Sequence, residues 1–173
     1  IGSLPRRFYR VQLVALQGIQ NGPSLPSQVN RVINELTPLI VTNTAIYADI
    51  PALPLSYTLT VTNLPGGSAV TNAAINSAGI ITWIPTEGQG PGSNVFRTIV
   101  SDGTRKATNS FTVTVNEVNL APVANALFVS TPEDTATNLV LTASDPDLPL
   151  NTLTFAIVTG PTNGGLSGFN PGS

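Results

Sequence analysis

The chain has no cysteine, no histidine and no methionine, and only one tryptophan and one lysine among 173 residues. Without cysteine there is neither a disulfide nor a thiolate for a soft metal, and without histidine a serine–histidine–aspartate relay cannot be built and zinc has no nitrogen ligand. Charge is scarce as well, at 9% of residues. A net charge of −2 and a pI near 4.8 leave no basic face for nucleic acid, the one cationic grouping being Arg6, Arg7 and Arg10. No window approaches the roughly 20 apolar residues of a membrane span, and no charged-then-apolar opening resembles a signal peptide. The first residue is Ile1, so a processed or partial chain is expected.

Catalysis finds little to work with. Glu133-Asp134 and Asp145 with Asp147 could be imagined as an acid pair for glycoside hydrolysis, but such enzymes need a cleft lined with aromatics. Aromatic residues make up only 6% of the chain, and the strand pattern commits them to core positions. The segment Gly88-Gln89-Gly90-Pro91-Gly92 lacks the Lys-Ser/Thr of a phosphate-binding loop. No enzyme is expected. Trp83 could be a carbohydrate platform, yet its place within Ile80-Ile81-Thr82-Trp83-Ile84 predicts burial, as for Tyr57, Phe96, Phe111 and Phe155.

What is present in quantity is glycine and proline, fifteen of each, and a polar surface supplied by Thr, Asn and Ser. From Leu39 onward, short runs rich in Val, Ile, Thr, Tyr and Phe alternate with turn-forming clusters, which predicts strands at 39–43, 44–48, 56–62, 70–75, 80–84, 94–101 and 107–115. Seven strands without a helical period predict an all-β sandwich of immunoglobulin type. Alternation is clearest at the end, where Phe111, Val113 and Val115 point one way and Thr112 and Thr114 the other. Upstream, Phe8 to Val14 also alternates and reads as the last strand of a preceding β unit, followed by a Pro/Gly linker, so residues 1–28 are set apart from a sandwich at 29–118; the other reading is a first strand of that sandwich.

A second copy of the pattern then begins. The order Thr44-Ala45-Ile46-Tyr47-Ala48-Asp49, Ser56-Tyr57-Thr58-Leu59, Pro65-Gly66-Gly67 has its counterpart in Leu141-Thr142-Ala143-Ser144-Asp145, Thr154-Phe155-Ala156-Ile157, Asn163-Gly164-Gly165. Residues 119–173 are therefore expected to form the opening part of a second sandwich that lacks its last strands. Asn34-Glu35, Trp83-Ile84-Pro85-Thr86, Val100-Ser101-Asp102-Gly103, Phe111 to Val115 and Asn116-Glu117-Val118-Asn119-Leu120-Ala121-Pro122 together resemble the bacterial cadherin-like repeats of dystroglycan type. Thr131-Pro132-Glu133-Asp134, Ala143 to Asp147 and Gly160 to Leu166 resemble the first half of another such module. The resemblance spans roughly residues 30–173. It implies tandem sandwiches in a long secreted or cell-surface protein, acting as spacer or adhesion modules whose partners are neighbouring repeats, other copies or surface ligands.

The acids fall where such repeats meet. Calcium takes six to eight oxygens at about 2.3–2.6 Å and favours carboxylates supported by carbonyl and amide oxygens. A Ca2+ site at the junction of the two repeats would draw on Glu35, Asp102, Glu117, Asn119, Asp145 and Asp147; only Glu87 stands outside this pattern. Pro146 provides the turn that lets Asp145 and Asp147 act together. In the first repeat Asp49-Ile50-Pro51 matches the Asp-x-Asp pair with its second carboxylate missing, so the upstream junction should be poor in ligands. The same Asp and Asn residues also suit side-chain-to-backbone turns without any metal. Two further readings remain open: a fibre subunit that adds residues 8–16 as a strand to a neighbouring chain, and a carbohydrate-binding module.

Overall fold

In the computed structural model, residues 21–170 are described, so the expected strand at residues 8–16 lies outside the described residues. The period-2 runs form two facing sheets. One is four-stranded, in the order β1 (Arg31–Asn34), β7 (Lys106–Asn116), β6 (Gly92–Ser101), β3 (Ser56–Leu64). The other is β2 (Leu39–Thr42), β5 (Ile80–Trp83), β4 (Ala74–Ile75). All pairings within these sheets are antiparallel except β1 on β7, which is parallel, from Arg31 beside Val113 to Asn34 beside Asn116. Two sheets joined this way make an all-β immunoglobulin- and cadherin-like sandwich.

The inward residues of both sheets meet in one core: Leu39, Val41, Ile81 and Trp83 from the smaller sheet, Val61, Phe96, Phe111, Val113 and Val115 from the larger. Trp83 packs edge-on against Phe96 at 5.2 Å, and Phe96 stacks on Phe111 at 5.2 Å. Truncating an aromatic in such a core costs about 3–5 kcal/mol. The Trp83 ring is buried and its Nε1–H donates to Asn72 Oδ1 at 3.1 Å, so it offers no platform to a sugar. Phe96 and Phe111 are core residues as expected, whereas Tyr57 and Phe155 are only half-buried.

Two strand expectations need correction. Thr44 to Ala48 does not form a strand; it contributes an isolated bridge between Ile46 and Ser24. That bridge, with the Asn109 side-chain amide donating to Pro26 O, lays the stretch expected to be linker along the first sandwich. Conversely, Arg31–Asn34 is a strand that composition does not reveal, because four residues with alternating half-buried positions are held by their parallel pairing to β7 and not by their own propensity.

Beyond Asn116, structure thins. Among its described residues the second repeat has one two-residue pairing, β8 (Val123–Ala124) with β9 (Ala143–Ser144), and a lone bridge position at Thr154, and many of its apolar side chains stay exposed, Phe128 at 94% and Val158 at 96%. The equivalence to the first repeat is nevertheless physical: Ser24 bridges Ile46 just as Val123 pairs with Ser144. Among the described residues no helix is long and apolar enough to cross a membrane.

Candidate metal centre at the junction

One end of the first sandwich gathers acids from four loops. Glu35 follows β1 and is buried, its N–H donating to Asn116 O at 3.0 Å, the last residue of β7. Leu36, with φ of 57° in the left-handed region that an apolar side chain rarely adopts, turns the chain so that its N–H donates to Pro85 O at 2.8 Å. That bond ties the Glu35 loop to the segment carrying Glu87. Glu87 opens a single 3-10 turn, Glu87–Gln89, held by Gln89: its Oε1 accepts from Thr86 N and its amide donates to Asn72 Oδ1. Asn72 in turn donates to Ile84 O and accepts from buried Trp83. Glu87 is thus set by a chain of bonds that reaches into the core.

Carboxylate oxygens of Glu35, Glu87 and Glu117 all lie within 4.8 Å of one another. Val118 N–H donates to Glu35 Oε1 at 3.0 Å, which folds the linker over the cluster. From the second repeat, Asp147 is 1% exposed and accepts Leu120 N–H on both oxygens, at 2.9 and 3.1 Å. Asp147 N–H donates to Asp145 Oδ1 at 3.0 Å, and Leu148 N–H donates to Glu87 Oε1 at 3.1 Å, so the two repeats are stitched at this point. Between residues 119 and 170, Asp147 is the one buried side chain. Asp147 Oδ2 also accepts from the Asn151 side-chain amide at 3.3 Å, so hydrogen bonds offset part of the cost of burying this carboxylate.

Among the described residues no cationic side chain reaches the clustered acids. Of the four described basic residues, Arg31 is engaged with Val29 O, Gln28 and the Phe111 ring, Arg97 lies mid-strand in β6, and Arg105 and Lys106 sit at the opposite end. Burial, and then the carboxylates of Glu35, Glu87 and Asp147, push the Glu117 carboxyl above its usual range. Glu35 Oε2 and both oxygens of Glu117 are inaccessible and have no hydrogen-bond partner. Three orphaned anionic oxygens converging with further carboxylates form a donor set suited to a hard divalent cation. Gly90 completes the wall, for a Cβ there would lie 2.5 Å from Glu35 Oε2.

Of the expected ligands, the structure brings Glu35, Glu117 and Asp147 to this end, with Asp145 bonded to Asp147 and exposed Asn119 in the linker, its amide turned to Leu120 O. Asp102 is not among them. It follows β6 at the far end of β7, where its Oδ1 accepts Thr104 N–H at 2.8 Å and Arg105 N–H at 2.6 Å. These bonds hold its carboxyl below the usual range. Glu87 takes the place that sequence spacing gave to Asp102. The register of the repeat also shifts: Asp49 accepts Asn21 and Gly22 N–H as Asp147 accepts Leu120 N–H, so Asp49 matches Asp147, not Asp145. The missing upstream carboxylate is therefore the first of the pair, and Tyr47 stands in its position.

No family model matches the chain, and no curated relative does. Among solved structures it is similar to human protocadherin-24 EC1-2, at 18% identity over 73% of this chain and 61% of that one, with a TM-score of 0.37. It is also similar to the N-terminal four Ig domains of Dscam1 isoform 7.44, at 13% identity over 77% of this chain and 34% of that one, TM-score 0.39. A putative alpha-galactosidase from Bacteroides fragilis shares 14% identity over 55% of this chain and 18% of that one, TM-score 0.40. The chain spans less than two thirds of the length of each of these.

Proposed function

We propose that the chain is a non-enzymatic spacer and adhesion module of a repetitive extracellular or cell-surface protein, and that a calcium ion fixes the angle between its two repeats. Glu35, Glu87, Glu117 and Asp147 would hold the ion, with Asp145 and Asn119 at the margin of the site. The observation that carries this reading is the set of solvent-inaccessible, unpartnered oxygens on Glu35 and Glu117 at the only point where the linker and both repeats meet among the described residues. A cation there would offset the burial and the repulsion that together raise the Glu117 carboxyl and would couple the loosely built second repeat to the first. Stiff junctions in series project a distal domain away from a surface; flexible ones do not.

Calcium titration by calorimetry, paired with small-angle scattering, tests this. The expected result is saturable binding that is lost in Glu117→Gln together with a narrower distribution of interrepeat distances in calcium. Identical heats, melting and scattering with calcium and with chelator would overturn it.

A further inference from the structure

Strand β3 is the edge of the four-stranded sheet, and its two halves are finished differently. Over the second half the chain folds back on itself: Val70 N–H donates to Val61 O at 2.8 Å, Asn63 N–H to Ser68 O at 3.0 Å, and Gly67 N–H to Asn63 O at 2.7 Å. Those bonds fix the parity of the strand. Val61 and Asn63 direct their backbone groups away from β6, so in an antiparallel ladder Tyr57 and Leu59 do the same. Among the described residues no backbone hydrogen bond covers the first half as the turn at 65–70 covers the second. The outward N–H and C=O groups of Tyr57 and Leu59 have no backbone partner among the described residues.

Natural sheets blunt such edges with lysine, proline, bulges or short strands. This one has none of them. β3 runs nine residues, Ser56–Leu64, and there is no charged residue anywhere between Asp49 and Glu87. The opposite edge, β1, is four residues long and carries Arg31. The outer face of the open half presents Ser56, Thr58 and Thr60, all exposed and uncharged.

We infer that this half-strand is a homophilic contact, taking Ser56 to Thr60 of a second copy of the chain in antiparallel register about a two-fold axis at Thr58. In that register Tyr57 N–H donates to Leu59 O of the second copy and Leu59 N–H to its Tyr57 O. Symmetry repeats both bonds, giving four between copies and a sheet of eight strands. Thr58 faces Thr58, and Ser56 faces Thr60, pairs that suit a solvated sheet face. Charge selects the occupant: an uncharged edge meets its own copy without repulsion, while a charged strand would find no counter-charge on it. Arg97, beside Thr60 on β6, is kept one strand back from the axis in each copy. Five residues a side is a small interface, so the dissociation constant is on the order of a millimolar for single chains. In a long array, parallel contacts of this kind multiply.

Sedimentation and backbone-amide exchange of the whole chain from about 10 μM to 1 mM, in calcium and in chelator, test the contact. The expected result is concentration-dependent association with slowed exchange at the Tyr57 and Leu59 amides, unchanged by chelator because the edge is independent of the acid cluster. Thr58→Lys sets two ammonium groups opposite each other and should weaken association at least tenfold; Thr108→Lys, in the same row but two strands inward, should not. A chain that stays monomeric at 1 mM with concentration-independent exchange would overturn the proposal. So would association that Thr58→Lys leaves intact, since the copies would then be joined elsewhere.

Discussion

The two ends of the first sandwich are built from similar parts and left in opposite states. At the upstream end Asp49 accepts Asn21 and Gly22 N–H, Asp102 accepts Thr104 and Arg105 N–H, and Tyr47 occupies the position that an acid takes in the second repeat. Each carboxylate there has its donors. At the downstream end Glu35, Glu87 and Glu117 converge with three oxygens unpartnered, and the Asp147 carboxylate adds to the negative charge there. An acid on a loop is therefore not evidence of a cation site by itself; an acid whose oxygens find no donor is.

Calcium removal should separate the ends most strongly. A ligand at a hundred times its dissociation constant stabilises the folded state by about 2.7 kcal/mol, which for a domain of this size raises Tm by about 10 °C. Chelation should reverse that shift. Glu117→Gln should abolish the calcium response and at the same time raise Tm in chelator, because it removes one member of a crowded anionic cluster. That crossing of the two curves distinguishes a metal ligand from a residue that merely packs. If Glu117→Gln lowers Tm equally in both buffers, the downstream end is no different in kind from the upstream one.

The positioning network gives the next largest effect. Asn72 touches Trp83, Ile84 O and Gln89 but none of the clustered acids, and it sets the turn that carries Glu87. Asn72→Ala should weaken calcium affinity about tenfold, the low end for groups that orient ligands, with a modest loss of Tm in chelator. Asp102→Asn should do the reverse. It should lower Tm by a few degrees because the turn bonds lose their charged acceptor, and leave calcium affinity unchanged, since Asp102 lies a full β7 length from the cluster, roughly 35 Å.

That separation explains what the sequence could not convey. Asp102 and Glu117 are close in the chain, yet an eleven-residue strand lies between them and carries them to opposite ends. Spacing along a chain through a strand measures distance, not proximity. Glu35, Glu117 and Asp147 were legible because a strand exit, a linker and a Pro-containing turn each lead to a domain end. Glu87 was not, because Gly88 to Gly92 reads as loop. The overlooked signal was Thr86 followed three residues later by Gln89, a helix-start pattern that orders the turn. The sheets themselves followed from alternation in β2, β5, β6 and β7, where one face is buried. β1 escaped because its stability comes from β7, and Thr44 to Ala48 misled because β-branched composition without a neighbouring strand makes no ladder.

Acidity offers the smallest and most diagnostic contrast. Glu117 has its carboxyl raised above an ordinary 4.5, mainly by burial and then by neighbouring acids. In chelator its ionised form opposes folding, so this end gains stability as pH falls from 7 through the raised pKa, and the gain is complete below 4.5. Asp102 has its carboxyl held below an ordinary 3.8 by the Arg105 and Thr104 amides. Its contribution is fully present above 3.8 and is lost only as pH falls through that value toward the lower folded pKa. Tm of the calcium-free chain should therefore rise on mild acidification and then fall below about pH 4. Glu117→Gln should flatten the rise and Asp102→Asn the fall. Calcium should invert the first limb, because protons then displace the ion that had relieved the repulsion. A Tm that falls monotonically from pH 7 in chelator would mean that the Glu117 carboxylate is already compensated, and the two ends would have to be regarded as alike.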